Sequence, residues 1–268
     1  MNFSVISIFP EAIDNYLKIG IISRAVSRGL IQVDSINLRD FADNKYRKID
    51  DYIFGYGRGM LFSAEPLECA VKSVKEKYPD AKTVYLSPRG RVFNNRIAKE
   101  YASQDAVILI AARYEGIDER IVELYVDDEI SVGDYVLTGG ELPSLVFIDA
   151  VSRFIDGTIH KDSAVDESFE SGLLEYGHYA PPVEFRGISV PEVLRSGNHT
   201  KTDELRFYLS LRKTYFNRPD LLRDFRFPIS ESKSKDPLKV LKKKNSQMKD
   251  LLLNIQKISK EWKNVGRS

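Results

Sequence analysis

The hydrophobic pattern of residues 1–155 alternates between two periods. Short apolar runs rich in β-branched residues predict strands at residues 3–9, 31–38, 83–87, 106–112 and 128–132. Apolar residues at helical spacing predict helices at residues 12–28, 64–78, 94–103, 117–125 and 142–155. Residues 39–62 are polar and glycine-rich, which predicts a loop. Helices that alternate with unbroken apolar strands predict an α/β fold around a parallel sheet.

The pattern changes after residue 155. Residues 156–188 are polar and rich in Gly and Pro, which is typical of a linker. From residue 190 onward the spacing is helical, and residues 205–216 combine basic and aromatic side chains on an amphipathic segment. We therefore expect an α/β domain at residues 1–155, a linker at 156–175 and a smaller, all-helical domain at 176–268.

The tail at residues 231–268 is strongly basic. It holds ten Lys and one Arg against four acidic residues, so it is either a phosphate-contacting segment or a solvated helix face. Its apolar residues repeat at alternating spacings of three and four: Met248, Leu251, Ile255, Ile258, Trp262 and Val265. This heptad pattern predicts a helix that packs on its own domain or on a partner helix.

Composition removes several function classes. Lys plus Arg is 40 and Asp plus Glu is 39, a formal net charge of +1, which excludes a uniformly basic nucleic-acid-binding surface. One Cys and three His exclude a disulfide scaffold and a zinc framework. We find neither a signal-peptide pattern nor an apolar run long enough to span a membrane. We therefore expect a cytoplasmic protein that makes no membrane contact.

Three loops marked by Gly or Pro follow predicted strands. They read SPRG (87–90), ARYEG (112–116) and SVGDYVLTGGELP (131–143). Because ligands of α/β sheets bind at the carboxyl ends of strands, the three loops predict one pocket. Tyr and Leu side chains within them offer apolar walls, and the chain has no phosphate-binding P-loop pattern. A nucleoside without a polyphosphate fits these loops best.

A fourth glycine-rich segment, GYGRGM (55–60), contains a GxGxG pattern. It follows the charged segment DDYIF and not a buried strand, so it is a weak indication of a dinucleotide site. A dinucleotide-dependent oxidoreductase would also need a ribose-binding acid downstream, and we find none at the expected place.

Nine segments of the chain carry a family resemblance. In chain order they are ISIFPE (6–11), DDYIFGYGRGML (50–61), YLSPRG (85–90), YEGIDER (114–120), GDYVLTGGELP (133–143), DAVSRF (149–154), SFESGLLEYGHY (168–179), VPEVLRSGNH (190–199) and SLRKTYFNRPDLL (210–222). Together they resemble the bacterial tRNA (guanine-N(1)-)-methyltransferases, the TrmD family of SPOUT methyltransferases. The resemblance covers residues 3–222 and does not extend to the basic tail.

The resemblance implies a fold and a cofactor. The fold would be a SPOUT-type parallel sheet with a deep trefoil knot within residues 83–140, followed by a smaller helical domain. The cofactor would be S-adenosylmethionine, bent by the knot loops. The family's cofactor contacts fall on Leu86, Ser87, Pro88, Ala112, Val132, Gly133, Asp134, Tyr135, Val136, Leu137, Gly139 and Gly140. The family's use of magnesium makes Glu115 a candidate metal ligand or a contact to the base, and no metal site is assigned.

The resemblance also implies a substrate, an assembly and two catalytic residues. The substrate would be tRNA, methylated on the guanosine 3′ of the anticodon, and the enzyme would be a homodimer with active sites shared between subunits. The guanine ring nitrogen must lose its proton, which a carboxylate can accept as general base. An Arg can stabilise the charge that then develops on the exocyclic oxygen. In this chain the two roles fall on Glu167 and Arg153.

The chain departs from the family at several positions. The family usually has Asp where this chain has Glu167, and Asp166 precedes it, so either carboxylate could serve as the base. Ala112 replaces the usual Gly, and HYAPP (178–182) lacks an Arg that the family usually has. These departures leave two alternatives open: a non-catalytic RNA-binding protein of the same fold, and a SPOUT methyltransferase with another RNA target.

The helical domain supplies the expected contacts to tRNA. Basic side chains that could bind phosphates are Arg195, Lys201, Arg206, Arg212, Lys213 and Arg218. His199 is either a contact to RNA or a structural residue.

Overall fold

The computed structural model describes residues 1–55, 57–159, 167–223 and 225. These residues form two compact units, one up to residue 160 and one from residue 161 onward. The predicted heptad and the basic tail lie outside the described residues. Within the described part of the chain, no helix is long and apolar enough to cross a membrane.

The first unit alternates strands and helices from its first residues onward. Its elements are β1 (Asn2–Ser7), α1 (Pro10–Tyr16), α2 (Gly20–Ser27), β2 (Gln32–Asn37), a 3-10 helix (Leu38–Phe41), β3 (Asp50–Tyr52), β4 (Met60–Phe62), α3 (Ala64–Lys77), β5 (Lys82–Val92), α4 (Asn95–Ala102), β6 (Ala106–Ile110), α5 (Glu119–Tyr125), β7 (Asp128–Ser131) and α6 (Glu141–Ser152).

Five of these strands form one parallel sheet in the order β2-β1-β6-β5-β7. Side chains on one face, such as Phe3 and Val5, pack against α1, α2, α4 and α6. Side chains on the other face, such as Ile6 and Ile108, pack against α3 and α5. Complete burial of one such side chain stabilises the fold by about 1.5–3 kcal/mol. The predicted α/β fold around a parallel sheet is confirmed.

Two predicted boundaries in this unit are wrong. The helix predicted at residues 12–28 is two helices, because Gly20 adopts a φ of +64° that a continuous helix does not allow. The loop predicted at residues 39–62 contains the end of the 3-10 helix and an antiparallel pair, β3 and β4. The pair is three residues long in each strand, which is too short to produce a recognisable alternation.

The SPRG segment (87–90) is not a free loop after its strand. Strand β5 continues to Val92, and both Leu86 and Arg91 pair with Ile130 of β7, so the residues between them form an irregular excursion. Gly90 lies directly against β7, since a Cβ there would be 2.4 Å from the backbone of Glu129. The chain therefore passes β7 at a distance that only glycine permits.

We had predicted an all-helical second unit, but the unit also contains strands. It contains α7 (His199–Asn217), 3-10 helices at Glu192–Arg195 and Pro219–Leu222, and a two-stranded antiparallel ribbon of β8 (Glu184–Phe185) and β9 (Ile188–Ser189). Gly187 has a φ of +79° in the turn between these strands. The ribbon lies in the part that we interpreted as glycine-rich and polar.

The end of the predicted linker packs on α7. The backbone amide of Leu174 donates to the hydroxyl of Thr214 at 2.8 Å, and Leu173 is buried. Asn198 caps the helix, because its side chain accepts a hydrogen bond from the amide of Lys201 at 3.0 Å. The end of the predicted linker thus lies against α7.

Candidate active site

A cavity of about 180 Å³ lies where the excursion within β5 meets the carboxyl ends of β6 and β7. It is lined by three stretches of chain and Pro143: residues 85–88, 112–116, and 130–140 without Asp134. The prediction that the three loops share one pocket is confirmed. A site at this edge of a parallel sheet is where α/β proteins bind their ligands.

The structure brings together nearly all of the residues that we predicted to hold a cofactor. Leu86, Ser87, Pro88, Ala112, Val132, Gly133, Tyr135, Val136, Leu137, Gly139 and Gly140 line the cavity. Asp134 is exposed and does not. Tyr135 and Val136 are largely exposed, at 56% and 82%, so one wall of the cavity faces solvent.

Close backbone packing fixes the third loop at the end of β6. The amide of Gly140 donates to the carbonyl of Ala112 at 2.7 Å. A Cβ at Gly140 would lie 2.5 Å from the Cα of Ala111. Gly133 turns the chain with a φ of +145°, and its amide donates to the hydroxyl of Ser131 at 3.2 Å. The cavity wall is thus mostly backbone whose position does not depend on flexible side chains.

Tyr85 forms the floor of the cavity. Its side chain is buried, and burial raises the pKa of its hydroxyl, although nearby Arg89 opposes the shift. The hydroxyl is therefore neutral at physiological pH. Gly116 lies against it, since a Cβ there would be 2.8 Å from the Tyr85 oxygen. This contact explains why the ARYEG loop carries glycine at that place.

A buried carboxylate lies beneath the cavity, and our sequence analysis did not single it out. Glu141 is 4% exposed and accepts a hydrogen bond from the Ser7 hydroxyl at 2.8 Å. It pairs with Nε of Arg113 at 3.2 Å, and the Arg113 guanidinium lies 4.5 Å from the ring centroid of Phe9. The group ties β1, the loop after β6 and the start of α6. An acidic residue at the first position of a largely apolar helix was the available signal.

Glu115 lies at the cavity, as we expected. Its amide donates to the carbonyl of Met60 at 3.0 Å, and Gly59 packs on its side chain. Gly59 and Met60 of the GYGRGM segment therefore lie against this glutamate. Among the residues that the structure describes, no three His, Cys, Asp or Glu side chains lie close enough to hold a metal ion.

The two predicted catalytic residues lie in different units. Arg153 is half-buried at the end of α6, and its amide donates to the carbonyl of Asp149 at 3.3 Å. Glu167 is half-buried in the second unit, where its carbonyl accepts from the amide of Glu170 at 3.3 Å. Asp166, the alternative base, lies outside the described residues.

The basic residues predicted to contact tRNA lie on α7 and the short helices beside it. Most are exposed: Arg195, Lys201, Arg212, Lys213 and Arg218. Arg218 forms an ion pair with Asp220 at 2.6 Å. Arg206 is half-buried, and His199 is the exposed first residue of α7. Their exposure is compatible with binding to phosphates, and that role stays a prediction.

Comparisons with known proteins identify similar chains. The family described as tRNA (Guanine-1)-methyltransferase TrmD matches residues 1–224. A protein of Geotalea uraniireducens (strain Rf4) is 47% identical over 232 residues, which cover 86% of this chain and 94% of that protein. One of Thermosipho africanus (strain TCF52B) is 50% identical over 221 residues, covering 82% and 89%. One of Clostridioides difficile (strain 630) is 46% identical over 226 residues, covering 83% and 98%. All three are named tRNA (guanine-N(1)-)-methyltransferase.

Proposed function

Because the chain belongs to the TrmD family of tRNA (guanine-1)-methyltransferases, we propose that it methylates N1 of the tRNA guanosine 3′ of the anticodon. The family match over residues 1–224 carries this conclusion. The chain is a tRNA methyltransferase, and its methyl donor is S-adenosylmethionine. The particular guanosine, the roles of individual residues and the assembly are our proposals.

We propose that the cavity between β5, β6 and β7 binds S-adenosylmethionine. A Cβ at Gly133 would clash with the ring of Tyr135, and one at Gly140 would clash with the backbone of Ala111, so glycine at both positions lets the loops around the cavity pack closely. Leu86 and Leu137 offer apolar contacts, and the Ala112 methyl is accommodated in the wall. Bound there, the cofactor would supply an electrophilic methyl group on a sulfonium. Magnesium has no defined ligand set among the described residues.

We propose that residues 83–140 form the trefoil knot of SPOUT enzymes. Two close approaches support this proposal: Gly90 lies against the backbone of β7, and Gly140 lies against the backbone after β6. Both occur at the ends of the strands that line the cavity. A threaded chain has to pass close to the backbone of its neighbours, and glycine at these two positions permits that.

Glu167 and Arg153 have different roles at the guanine: Glu167 is the general base, and Arg153 stabilises the developing negative charge. A carboxylate oxygen of Glu167 takes the proton from N1, and the N1 electron pair then forms the bond to the methyl carbon. Bound S-adenosylmethionine would supply that methyl carbon, and the electron pair of its carbon–sulfur bond would remain with the departing thioether. Arg153 donates to the exocyclic oxygen, where negative charge develops as the proton leaves.

We propose that each active site is shared between two copies of the chain. Arg153 and Glu167 lie in separate units, and in a homodimer Arg153 of one copy and Glu167 of the other would complete one site. Exposed apolar side chains beside the cavity support an interface there. Val136 is 82% exposed, and Leu142 and Val146, one turn apart on α6, are 61% and 49% exposed.

The test begins with unmodified tRNA transcript and isotopically labelled S-adenosylmethionine, followed by nuclease mapping of the methyl group. We expect N1-methylguanosine 3′ of the anticodon. Methyl groups found only elsewhere would support another RNA target, and none at all would support the non-catalytic alternative.

Two variants then assign the base. Glu167→Gln should lower the single-turnover rate by about 10²- to 10⁴-fold, as loss of a general base does. Asp166→Asn should have a small effect, because only Glu167 takes the proton from N1 in our mechanism. Both variants should bind the cofactor normally. The reverse pattern would make Asp166 the base, and two normal variants would refute the carboxylate mechanism.

A further inference from the structure

The second unit contains a cavity that the proposed chemistry does not use. Its volume is about 330 Å³, and it is lined by residues 176–183, by the 3-10 helix at Glu192–Arg195 and by α7. This volume is at the lower end of the range of about 300–1,000 Å³ for small-molecule sites, which suits a single nucleotide.

Planar side chains form one wall of this cavity. The rings of Tyr176 and His178 are 4.8 Å apart between centroids, and the Arg206 guanidinium lies 5.1 Å from the Tyr176 centroid. Tyr179, which also lines the cavity, is 50% exposed and available to a ligand. Unstacked bases of single-stranded RNA bind on aromatic rings and on guanidinium planes of this kind.

The cavity is electrostatically suited to an anion. Arg195 and Arg206 are both among its lining residues, all of which the structure describes, and no carboxylate is among them. Glu175, which does not line the cavity, pairs with the lining residue His178 at 2.7 Å. The nearest acid recorded for Arg206 is Asp203, at 3.8 Å and largely exposed, so this ion pair is weak. A guanidinium that is not tightly paired can form a forked contact with a phosphate.

This cavity shares a wall with the surroundings of Glu167. Tyr176 and Arg206 also line a neighbouring cavity of about 250 Å³ to which Glu167 contributes. The relation lies within the second unit, so it does not depend on the position of the first. A nucleotide in the larger cavity would therefore be close to the carboxylate that we assign to the methylated guanosine.

We propose that the cavity lined by Tyr176, Tyr179, Arg195 and Arg206 binds one unstacked nucleotide of the tRNA next to the methylated guanosine. The base stacks on the aromatic wall, and the phosphate is bound by an Arg. This inference rests on the proposed function for the identity of the RNA. The site would select tRNAs whose anticodon loop can release that nucleotide from its stack.

Equilibrium binding of unmodified tRNA transcript to variants of the full chain tests the proposal. Tyr179→Leu removes an exposed ring, and Arg206→Lys keeps the charge but removes the planar surface. Each should weaken tRNA binding by about 10-fold to 100-fold, the loss expected for one stacked base. Tyr179→Phe should restore binding. Phe216→Leu, at an exposed aromatic residue of α7 outside the cavity, is the matched control.

Binding of S-adenosylmethionine and sedimentation are measured on the same proteins. Unchanged cofactor affinity and mass, together with weaker tRNA binding, would support the proposal. Wild-type tRNA affinity in both variants would overturn it. A change of oligomeric state that accounts for the lost affinity would overturn it too, because the cavity would then be a contact between protein chains.

Photo-crosslinking provides a direct readout. Transcripts with 4-thiouridine in the anticodon loop should form adducts within residues 176–183, located by mass spectrometry of the digested protein. Adducts found only outside those residues would contradict the assignment. If the wild type makes no methylguanosine but these adducts form, the proposed function fails and the nucleotide site stands.

Discussion

Replacement of Glu141 by Gln would change the charge beneath the cofactor cavity with almost no change of shape. The carboxylate is 4% exposed, and its two oxygens share Nε of Arg113, each at 3.2 Å. Oε1 also accepts from the Ser7 hydroxyl at 2.8 Å. In Glu141→Gln one oxygen becomes an NH₂ donor that faces Arg113, so two donors meet where a charge pair was.

The expected loss of stability follows from these contacts. A hydrogen bond to a buried charged group contributes about 1.5–3 kcal/mol. The ion-pair contribution is smaller than for a fully buried pair, because the Arg113 side chain is 32% exposed to solvent. We therefore expect Glu141→Gln to lower the free energy of unfolding by about 2 kcal/mol, which lowers the melting temperature by about 4–8 °C in a unit of this size.

The same substitution should weaken cofactor binding. Gly139 of the cavity wall packs on this carboxylate, since a Cβ there would lie 2.5 Å from Oε2. Loosening this turn should raise the Kd for S-adenosylmethionine about tenfold, equivalent to about 1.4 kcal/mol. The rate at saturating cofactor should change little, because Glu141 does not touch the guanine in our mechanism.

Thermal unfolding and calorimetric titration with S-adenosylmethionine are the two measurements. Glu11→Gln is the matched control, since Glu11 is also an acidic residue in the first turn of a helix but is exposed. It should shift stability by less than about 0.5 kcal/mol. If Glu141→Gln melts lower but binds the cofactor normally, Glu141 has a purely structural role and the positioning argument is wrong.

Two further experiments address the threaded loops and the shared site. Gly140→Ala places a Cβ 2.5 Å from the Ala111 Cα, so this variant should lose cofactor binding. Gly177→Ala is the control, because nothing lies near its Cβ and its cofactor affinity should stay normal. Equal cofactor affinities in the two variants would contradict the close packing at Gly140. Arg153→Lys and Glu167→Gln should each be slow alone, but a mixture that has exchanged subunits should recover about a quarter of the wild-type activity per site, since half of the dimers carry one intact site. A mixture no faster than its components would place both residues in one subunit.

The fold could be predicted from the sequence where the hydrophobic residues repeat with one dominant period. The AVILIAA run appears as β6, and the apolar residues of α3 and α6 face the core. The break at Gly20 was not predictable, because apolar residues on both sides keep helical spacing and glycine occurs in helices as well. The β8–β9 ribbon was missed since its four residues are all exposed and provide no hydrophobic alternation.

The cofactor cavity was predictable because its walls are loops that follow recognisable strands. The Glu141 group was not, because its members are far apart in the chain: Ser7 and Glu141 are 134 residues apart. They meet because β1 and β6 are neighbours in the sheet, and strand order is not visible in the hydrophobic pattern. The family resemblance is confirmed by the match over residues 1–224. It suggested the roles of individual residues, which the spacing of residues along the chain could not indicate.

The charge of the chain bears on how it could bind tRNA. Residues 1–230 carry 29 basic and 35 acidic side chains, so most of the chain repels an RNA backbone at long range. The cavity of the first unit is lined by one Arg and one Glu side chain, Arg113 and Glu115, among apolar, hydroxyl and glycine residues, so it presents no cluster of cations to a polyanion. In our proposal the exposed cations of α7, such as Lys201, Arg212 and Lys213, contact the tRNA phosphates. The proposed general base, Glu167, belongs to that same second unit, so one unit would both hold the tRNA and take the proton from N1, and a small error in placing the tRNA on it would lower the rate.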